Sequence, residues 1–336
     1  MELINRVNSF IKLGNYIAED PEELQSVIRL TGIKNHWFTK DNCYMAMNAI
    51  AQTMLNEEKL QNWLQAYNLE NVKNKNIGII AAGNIPLVSF HDVLCVLISG
   101  QNLFLKTSER DNVLLPHFLD KLISFDPEWE KYIFIDQRWP KMDAVIATGS
   151  NNSGRYFEYY FGKNPHIIRK NRHSIAVLRG NESQEELYQL GLDVFEYFGL
   201  GCRNVSMLWI PKDYKFENLL EAWQPFSELM MFHSYKNNLD YQRTIYLMNG
   251  TPIVDCDFVN LIDVKSISSP ISCVNLVHYE NESEIKDWLE VNQEEIQCVI
   301  NFDDFERNVK FGEAQAPELN DYADGVDTMQ FLINLK

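Results

Sequence analysis

The chain lacks a long hydrophobic run. Its most apolar stretch, residues 85–99, is interrupted by His91 and Asp92 and is too short and too polar to span a bilayer. The first residues, MELINRVNSFIKLG, contain no apolar segment of the kind that signal peptides have. We therefore expect a cytoplasmic protein with no membrane-spanning segment.

Positive charge is scarce as well. The sequence contains 30 Lys and Arg residues against 47 Asp and Glu residues, which gives a formal net charge of −17. A surface that binds nucleic acid needs a basic footprint, so we expect no nucleic-acid partner. A locally basic groove could still hold an anionic ligand, because the local charge pattern matters more for binding than the total.

The cysteines are few and scattered. None of the six belongs to a CxxC pair or to a Cys/His spacing typical of zinc sites, so the sequence predicts neither a disulfide framework nor a metal centre. Most are expected to be small core residues, and a nucleophile among them has to be recognised by its neighbours. The six are Cys43, Cys95, Cys202, Cys256, Cys273 and Cys298.

The apolar content is sufficient for a large core. The 336 residues are 46% hydrophobic, and this length predicts about two domains. Residues 1–70 are predicted to be helical. After residue 71, short apolar strands alternate with helices, which is typical of a doubly wound α/β fold with ligands at the carboxyl ends of the strands.

The alternation continues through most of the chain. Strands are predicted at 77–82, 102–106, 142–147, 174–178, 205–210, 273–279 and 297–302. Helices are predicted at about 41–54, 57–66, 86–99, 112–124, 153–161, 184–197, 215–223, 226–247 and from 282. Residues 312–327 look irregular, and residues 328–335 are expected to form a closing strand. No flexible linker marks a domain border, so we expect two closely packed domains that meet near 170–180, with the site in the cleft between them.

The usual nucleotide and hydrolase motifs are missing. No GxGxxG follows the first strand, and neither G-x-S-x-G nor H-E-x-x-H occurs. Gly78 and Gly83 have the spacing of a phosphate-binding loop, but Asn84 and Ile85 stand where Lys and Ser or Thr are required.

Three predicted strands nevertheless end in polar segments. These are residues 83–86 (GNIP) with Asn84, residues 106–109 (KTSE) with Lys106, Ser108 and Glu109, and Thr148, Gly149 and Ser150. An amide, a lysine and a helix N-terminus with small hydroxyl residues can each contact a nucleotide or an oxyanion. Taken singly, each is equally an ordinary turn or helix cap.

A fourth segment lies between a predicted helix and a strand. In residues 198–204 (FGLGCRN), two glycines precede Cys202, which would allow an exposed thiol on a tight turn. Backbone N–H groups in such a turn could stabilise an oxyanion. A single cysteine is nevertheless more often structural.

The order of the four segments resembles the aldehyde dehydrogenase superfamily. Asn-x-Pro after a strand, Lys-x-Ser-Glu after the next, Thr-Gly-Ser at a helix start and Gly-x-Gly-Cys-x-x-x-Ser follow one another as they do in that family. Residues 268–271 (SSPI) resemble its E-x-F-G-P-V segment without the Glu and the Gly, and residues 311–312 (FG) resemble its C-terminal glycine-rich stretch. The resemblance covers roughly residues 75–330.

Within that superfamily the chain resembles the acyl-CoA reductase branch, the relatives of the bioluminescence-type (LuxC-like) fatty-acid reductases. Residues 235–241 (YKNNLDY) and 321–329 (DYADGVDTM) are similar to that branch as well. The resemblance implies two Rossmann-like α/β domains with a cleft between them. Residues 1–172 would form a helical N-terminus with the cofactor-binding domain, residues 173–309 would form the catalytic domain, and residues 310–336 would return to the first.

One departure from the family bears on the reaction. Aldehyde dehydrogenases that hydrolyse their acyl-enzyme carry a water-activating Glu on the strand that enters the second domain, whereas residues 159–181 here contain no Asp or Glu. Hydrolysis without a base in reach is not expected. The same stretch carries Arg169, Lys170 and Arg172, which would attract the phosphates of CoA or of the cofactor, or else form a basic rim that balances nearby acids.

The resemblance therefore implies an acyl-CoA reductase that converts an acyl thioester to the aldehyde. Cys202 would form an acyl-cysteine, and Asn84 would stabilise the oxyanion. The cofactor, NADPH or alternatively NADH, would lie on Lys106, Ser108, Glu109, Thr148, Gly149 and Ser150. An acyl-phosphate reductase and an inactive binding protein are the alternatives, and a homodimer is compatible with the family.

Overall fold

The protein forms two compact α/β units in a computed structural model, which describes residues 1–70 and 72–335. One unit comprises Met1–Asn171 and the segment from Ala316 onward, and the other comprises Arg172–Gln315. Residues 310–315 of the segment that was expected to return to the first unit thus belong to the second. No helix in the described part of the chain combines the length and the apolar character needed to cross a membrane.

The first unit begins with four helices: α1 (Leu3–Glu19), α2 (Glu22–Lys34), α3 (Lys40–Thr53) and α4 (Glu57–Leu64). In α1 the buried apolar side chains Val7, Phe10, Leu13 and Ile17 recur every three or four residues, which directs one face of the helix into the core. Helix α3 starts where the Thr39 hydroxyl accepts the Asn42 N–H.

A five-stranded parallel sheet follows in the same unit. Its elements are β1 (Asn76–Ile80), α5 (Phe90–Ile98), β2 (Asn102–Lys106), α6 (Leu114–Phe125), β3 (Ile133–Ile135), β4 (Ala144–Thr148), α7 (Asn151–Phe161) and β5 (His166–Arg169). The strand order is β3-β2-β1-β4-β5. The sequence pattern missed β3 and β5, because these short edge strands, of three and four residues, contain too few residues for a clear apolar run.

The second unit is built around a seven-stranded sheet. Its elements are β6 (His173–Val177), α8 (Gln184–Phe195), β7 (Val205–Pro211), α9 (Glu217–Trp223), α10 (His233–Met248), β8 (Ile253–Cys256), β9 (Val259–Asp263), β10 (Cys273–Tyr279), α11 (Glu282–Asn292), β11 (Ile296–Ile300) and β12 (Asn308–Val309). The order is β12-β11-β6-β7-β10-β9-β8. Among the strands that the structure describes in this sheet, β8 and β9 alone pair antiparallel, and neither of them nor β12 was predicted from the sequence.

The central strands of this sheet are buried on both faces. Along β6 and β7, Ala176 and Leu208 pack into one apolar cluster, whereas Ile175 and Met207 pack into another. Neighbouring residues of a strand point to opposite faces, so the two clusters are the two core layers of a doubly wound sheet.

The C-terminal element is α12 (Thr328–Ile333), a helix rather than the closing strand that we expected. Asp327 caps it by accepting the Gln330 N–H. Met329 and Leu332 are buried, and their spacing of three residues places both on one helical face. The sequence window is too short to separate this pattern from an apolar strand.

A buried ion pair holds α12 to the sheet of the first unit. Arg169 at the end of β5 pairs with Asp92 in α5, and its guanidinium donates to the Thr328 hydroxyl at 3.0 Å. Arg169 and Asp92 are 5% and 4% exposed. Each charge is therefore removed from water and depends on the other for compensation.

His91, next to this pair, is held as a neutral ring. It lies between the aromatic rings of Trp63 and Tyr322, with centroid distances of 6.2 and 5.2 Å. Burial lowers the pKa of His91 to about 4. An unfolded histidine titrates near 6.5, so between these values the unfolded chain binds a proton that the folded chain does not.

We expect His91→Asn to weaken the pH dependence of stability. A lowered folded-state pKa makes the stability contributed by His91 decline as the pH falls below about 6.5, by about 2 kcal/mol at pH 5 at 1.36 kcal/mol per unit. Urea denaturation at pH 7.5 and pH 5.0 measures the loss for the chain and for the variant. His278→Asn, at an exposed position, serves as the control. Equal losses in all three proteins would contradict the assignment.

We expect Arg169→Ala to lower the free energy of unfolding by about 3–5 kcal/mol, because it leaves Asp92 buried without its partner. The adjacent Lys170 is half-exposed and lies 3.7 Å from Glu158, so Lys170→Ala should change stability by less than about 0.5 kcal/mol. Urea denaturation of both variants provides the comparison. Similar losses for the two would show that Arg169 has no special structural role.

Candidate functional site

Cys202 lies on a turn between α8 and β7 in the second unit. Of the six cysteines, it is the partly exposed one, and the other five are buried. Burial raises the thiol pKa of Cys43 to about 12 and that of Cys273 to about 11, so both are held as neutral thiols. Exposure therefore points to the same cysteine that the sequence selected.

The backbone before Cys202 has an unusual conformation. Tyr197, Phe198 and Gly199 all have positive φ angles, of 51°, 59° and 75°. A non-glycine residue in this region costs roughly 1–2 kcal/mol, so two in succession persist only where the surroundings hold them.

Asn204 supplies much of that restraint. Its buried side-chain amide donates to the main-chain carbonyl of Glu196 at 2.8 Å and to that of Asp193 at 3.1 Å. Its Oδ1 accepts the Gly201 N–H at 2.8 Å. One side chain thus joins the end of α8 to the turn that carries Cys202.

A second anchor is Asp193, at the end of α8. Its carboxylate accepts the main-chain N–H groups of Gly312 at 2.7 Å and Ala314 at 3.0 Å. Gly312 has a φ of 80°, and a Cβ there would lie 2.2 Å from the Gln189 side chain. The residues 311–312 that carry the C-terminal family resemblance are therefore held against α8.

The same segment contacts the turn through Arg203, whose Nε donates to the carbonyl of Ala314. Burial raises the pKa of Asp193 to about 7 and that of Glu196 to about 7. Neither carboxylate was predicted as part of the site, because both lie outside residues 159–181, where the family resemblance places the acid. A single acid in the apolar run Leu190–Phe195 was the available signal.

A small cavity adjoins the turn. Its volume of about 20 Å³ is close to what one water molecule occupies. Phe198 and Gly199 line it together with Ser269, Pro270 and Ile271. The segment 268–271, which resembles a family motif, therefore lies beside the Cys202 turn.

In the first unit, the segments that follow β1 and β2 meet at the carboxyl edge of the sheet. A Cβ on Gly83 would lie 2.5 Å from Ser108 Oγ, so only glycine allows this approach. Asn84 is half-buried next to Gly83. The structure thus brings Asn84 and Ser108, two of the predicted site residues, to the same edge.

Lys106 has a partner that the sequence did not reveal. Its Nζ lies 3.1 Å from Asp136 Oδ1, just beyond β3. Asp136 also accepts from the Thr107 hydroxyl at 2.6 Å. Because β3 was not predicted, Asp136 could not be placed beside β2 from the sequence. Glu109, another residue predicted to contact the cofactor, is exposed.

The segment from Thr148 to Ser150 opens α7. Ser150 caps the helix by accepting the Ser153 N–H at 3.2 Å, which is the ordinary role considered for it. A Cβ on Gly149 would lie 2.9 Å from the Ser153 side chain, so glycine is required for this tight entry. Thr148 is half-buried and Ser150 is exposed at this edge.

The proposed phosphate contacts need correction. Arg169 is buried against Asp92 and cannot meet a phosphate in solution. Arg172 donates to the main-chain carbonyl of Ile296 at 3.1 Å, and Lys170 lies near Glu158. Two arginines of the stretch 159–181 thus pair with acids distant in sequence, Arg169 with Asp92 and Arg179 with Glu282. Of the three cations, Lys170 has the most exposed side chain.

Across residues 1–70 and 72–335, no three His, Cys, Asp or Glu side chains are grouped so that they could hold a metal ion.

Comparison by sequence gives no relative. No protein-family model matches the chain. No curated protein matches it either.

Solved structures do resemble the protein. An aldehyde dehydrogenase of Physcomitrella patens, solved with the reaction product succinate, has a TM-score of 0.69 and 12% identity over 99% of this chain and 84% of its own. An NAD-dependent aldehyde dehydrogenase of Sinorhizobium meliloti has a TM-score of 0.65 and 12% identity over 89% and 70%. One from Pseudomonas syringae, solved with NAD+ and octanal, has a TM-score of 0.60 and 12% identity over 84% and 69%.

At this level of identity the similarity concerns the fold alone. Both units contribute to it, since the Physcomitrella patens structure is covered along nearly the whole of this chain. The expected α/β fold is therefore confirmed: the protein has the fold of the aldehyde dehydrogenases.

Proposed function

We propose that the protein is an aldehyde-forming oxidoreductase that reduces an acyl-CoA with a nicotinamide cofactor. The observation that carries this proposal is the partly exposed Cys202 on a restrained Gly-x-Gly-Cys turn within an aldehyde-dehydrogenase fold. Reactive cysteines occupy such accessible positions, whereas buried structural cysteines are inert.

The direction of the reaction is inferred from residues 159–181, the stretch in which hydrolysing aldehyde dehydrogenases carry their water-activating Glu. Hydrolysis of an acyl-cysteine needs a base that activates water. Residues 159–181 contain no carboxylate, and Asp193 is committed to the N–H groups of Gly312 and Ala314. Transfer of the acyl group from a thioester and its reduction need no such base, which supports a reductase.

The proposed reaction consumes an acyl thioester and one co-reactant, the reduced nicotinamide cofactor. The Cys202 thiolate attacks the thioester carbonyl, a new carbon–sulfur bond forms, and CoA leaves as its thiolate. The Asn84 amide would donate to the oxyanion of this addition. The reduced nicotinamide cofactor, when bound, would supply the hydride. The role of Cys202 is to hold the acyl group for this reduction and to leave as its thiolate when the aldehyde is released.

The carboxyl edge of the first sheet suits a dinucleotide. Lys106 and the hydroxyls of Ser108 and Ser150 are polar donors there, and Ser150 opens an α-helix whose N-terminus favours a pyrophosphate. Asp136, 3.1 Å from Lys106, adds a carboxylate that suits ribose hydroxyls and opposes a 2′-phosphate. The position of Asp136 therefore favours NADH, whereas the family resemblance led us to expect NADPH.

The cofactor, the thioester substrate and the oligomeric state are supported by different observations. The fold similarity supports the class of chemistry, and the NAD+ bound to the Pseudomonas syringae enzyme supports a nicotinamide cofactor. The thioester partner and a homodimer follow from the sequence resemblance. Lys170 is the remaining accessible candidate for contacting a phosphate of CoA.

We expect Cys202→Ala to abolish reduction of acyl-CoA, because alanine cannot form the acyl-enzyme. Oxidation of NADH and of NADPH at 340 nm, with acetyl-, octanoyl- and palmitoyl-CoA, measures the activity. Cys43→Ala, which removes a buried thiol, should retain the activity.

Three other results would contradict the assignment of Cys202 or favour one of the alternative functions. Turnover by Cys202→Ala would exclude Cys202 as the nucleophile. Activity with acyl phosphates alone would establish the alternative reductase. No activity with either substrate, together with an unreactive Cys202, would indicate a binding protein.

We expect Asn84→Ala to lower kcat by roughly 10²–10³, the effect of losing one oxyanion donor, with little change in KM. Asn8→Ala, at an exposed position of α1, is the matched control and should leave kcat unchanged. Steady-state kinetics on the preferred acyl-CoA gives the answer. An unaltered kcat for Asn84→Ala would remove this residue from the site.

A further inference from the structure

The second sheet is irregular on both sides of Ser174. Towards β7, Ser174 pairs with Val205 but Ile175 pairs with Met207, so β7 has one extra residue. Towards β11, the paired residues jump from Ile296 to Val299, so two residues of β11 face Ser174. Such bulges disrupt the hydrogen-bond ladder and occur often beside active sites.

The Ser174 side chain supplies hydrogen bonds at this irregularity. It is fully buried. Its hydroxyl donates to the main-chain carbonyl of Cys202 at 3.0 Å and accepts the Cys298 N–H at 3.3 Å. The Ser174 N–H donates to the carbonyl of Asn204 at 3.4 Å. Ser174 therefore joins the bulged part of β11 to the turn that carries Cys202.

These contacts restrain the peptide groups on both sides of Cys202. The carbonyl of Gly201 accepts the Asn204 N–H at 3.2 Å, which sets the plane of the peptide before Cys202. The hydroxyl of Ser174 sets the plane of the peptide after it. Because each peptide is planar, restraining both planes restrains the φ and ψ angles of Cys202 and thereby the direction of its Cα–Cβ bond.

We propose that Ser174 is a positioning residue that orients Cys202 for nucleophilic attack. The proposal rests on the proposed function, since it takes Cys202 to be the nucleophile. Ser174 acts through the Cys202 carbonyl and contacts neither substrate nor cofactor. Loss of its hydroxyl releases the peptide after Cys202, so the thiol samples orientations that are unproductive for attack.

Ser206 provides a matched control. It is also a buried serine of the same sheet. Its hydroxyl donates to the carbonyl of Ile267 and lies 3.3 Å from the main-chain carbonyl of Ser174, so Ser206→Ala leaves the Ser174 hydroxyl and its bond to the Cys202 carbonyl in place. Ser206→Ala and Ser174→Ala therefore each remove one buried hydroxyl that donates to a carbonyl. Only the second should alter Cys202, although both lower stability.

The experiment compares Ser174→Ala, Ser206→Ala and Ser174→Thr, which retains a hydroxyl. Two properties are measured: the rate of Cys202 alkylation by iodoacetamide from pH 6 to pH 10, with Cys202→Ala as the blank, and kcat and KM on acyl-CoA. We expect Ser174→Ala to lower kcat about tenfold or more at nearly constant KM and to change the alkylation profile. Ser206→Ala should match the parent chain, and Ser174→Thr should restore most of the kcat.

A Ser174→Ala variant with the kcat and alkylation profile of Ser206→Ala would overturn the proposal. If Ser174→Ala does not fold, Ser174→Thr provides the test. A folded Ser174→Thr variant with a kcat as low as that of Cys202→Ala would show that a hydroxyl at this position does not restore activity, and it would overturn the proposal. Alkylation needs no substrate, so its result stands even if acyl-CoA is not reduced. Turnover by Cys202→Ala would instead reject the proposed function itself.

Discussion

The Cys202 turn depends on one buried side chain, that of Asn204. Two non-glycine residues in the left-handed region precede the turn, and a strained backbone of this kind persists only when it is over-determined. Asn204 meets that need with bonds to the end of α8 and to Gly201. A buried amide whose donors and acceptor are all used has a single low-energy arrangement, and the turn inherits that arrangement.

Buried carboxylates play a comparable part elsewhere in each unit. Asp193 holds residues 312–314 to α8 through two main-chain N–H groups, and Asp92 holds α12 through Arg169 and Thr328. In both cases a segment late in the chain is fastened to an element much earlier in it. Such contacts are long-range and polar, so no local pattern of apolar residues predicts them.

How well the sequence predicted each helix or strand depended on the length and the burial of that element. Residues 102–106 and 273–279 were predicted at their observed bounds, because a run of apolar residues marks a strand buried on both faces. The strands β3, β5, β8, β9 and β12 were missed, since they are short or lie at or near sheet edges. Helix α12 was mistaken for a strand because its type is set by the Asp327 cap and by its packing, which a window of a few residues cannot reveal.

The sequence by itself determined the α/β class and the selection of Cys202, because these depend on periodicity and on glycines adjacent to a cysteine. Only the tertiary structure decided what the charged residues do. Arg169 became half of a buried ion pair, Asp136 appeared beside Lys106, and Ser174 was found on the Cys202 carbonyl. Charges and hydroxyls acquire their roles from partners far away in the chain, and folding alone brings those partners within a few ångströms.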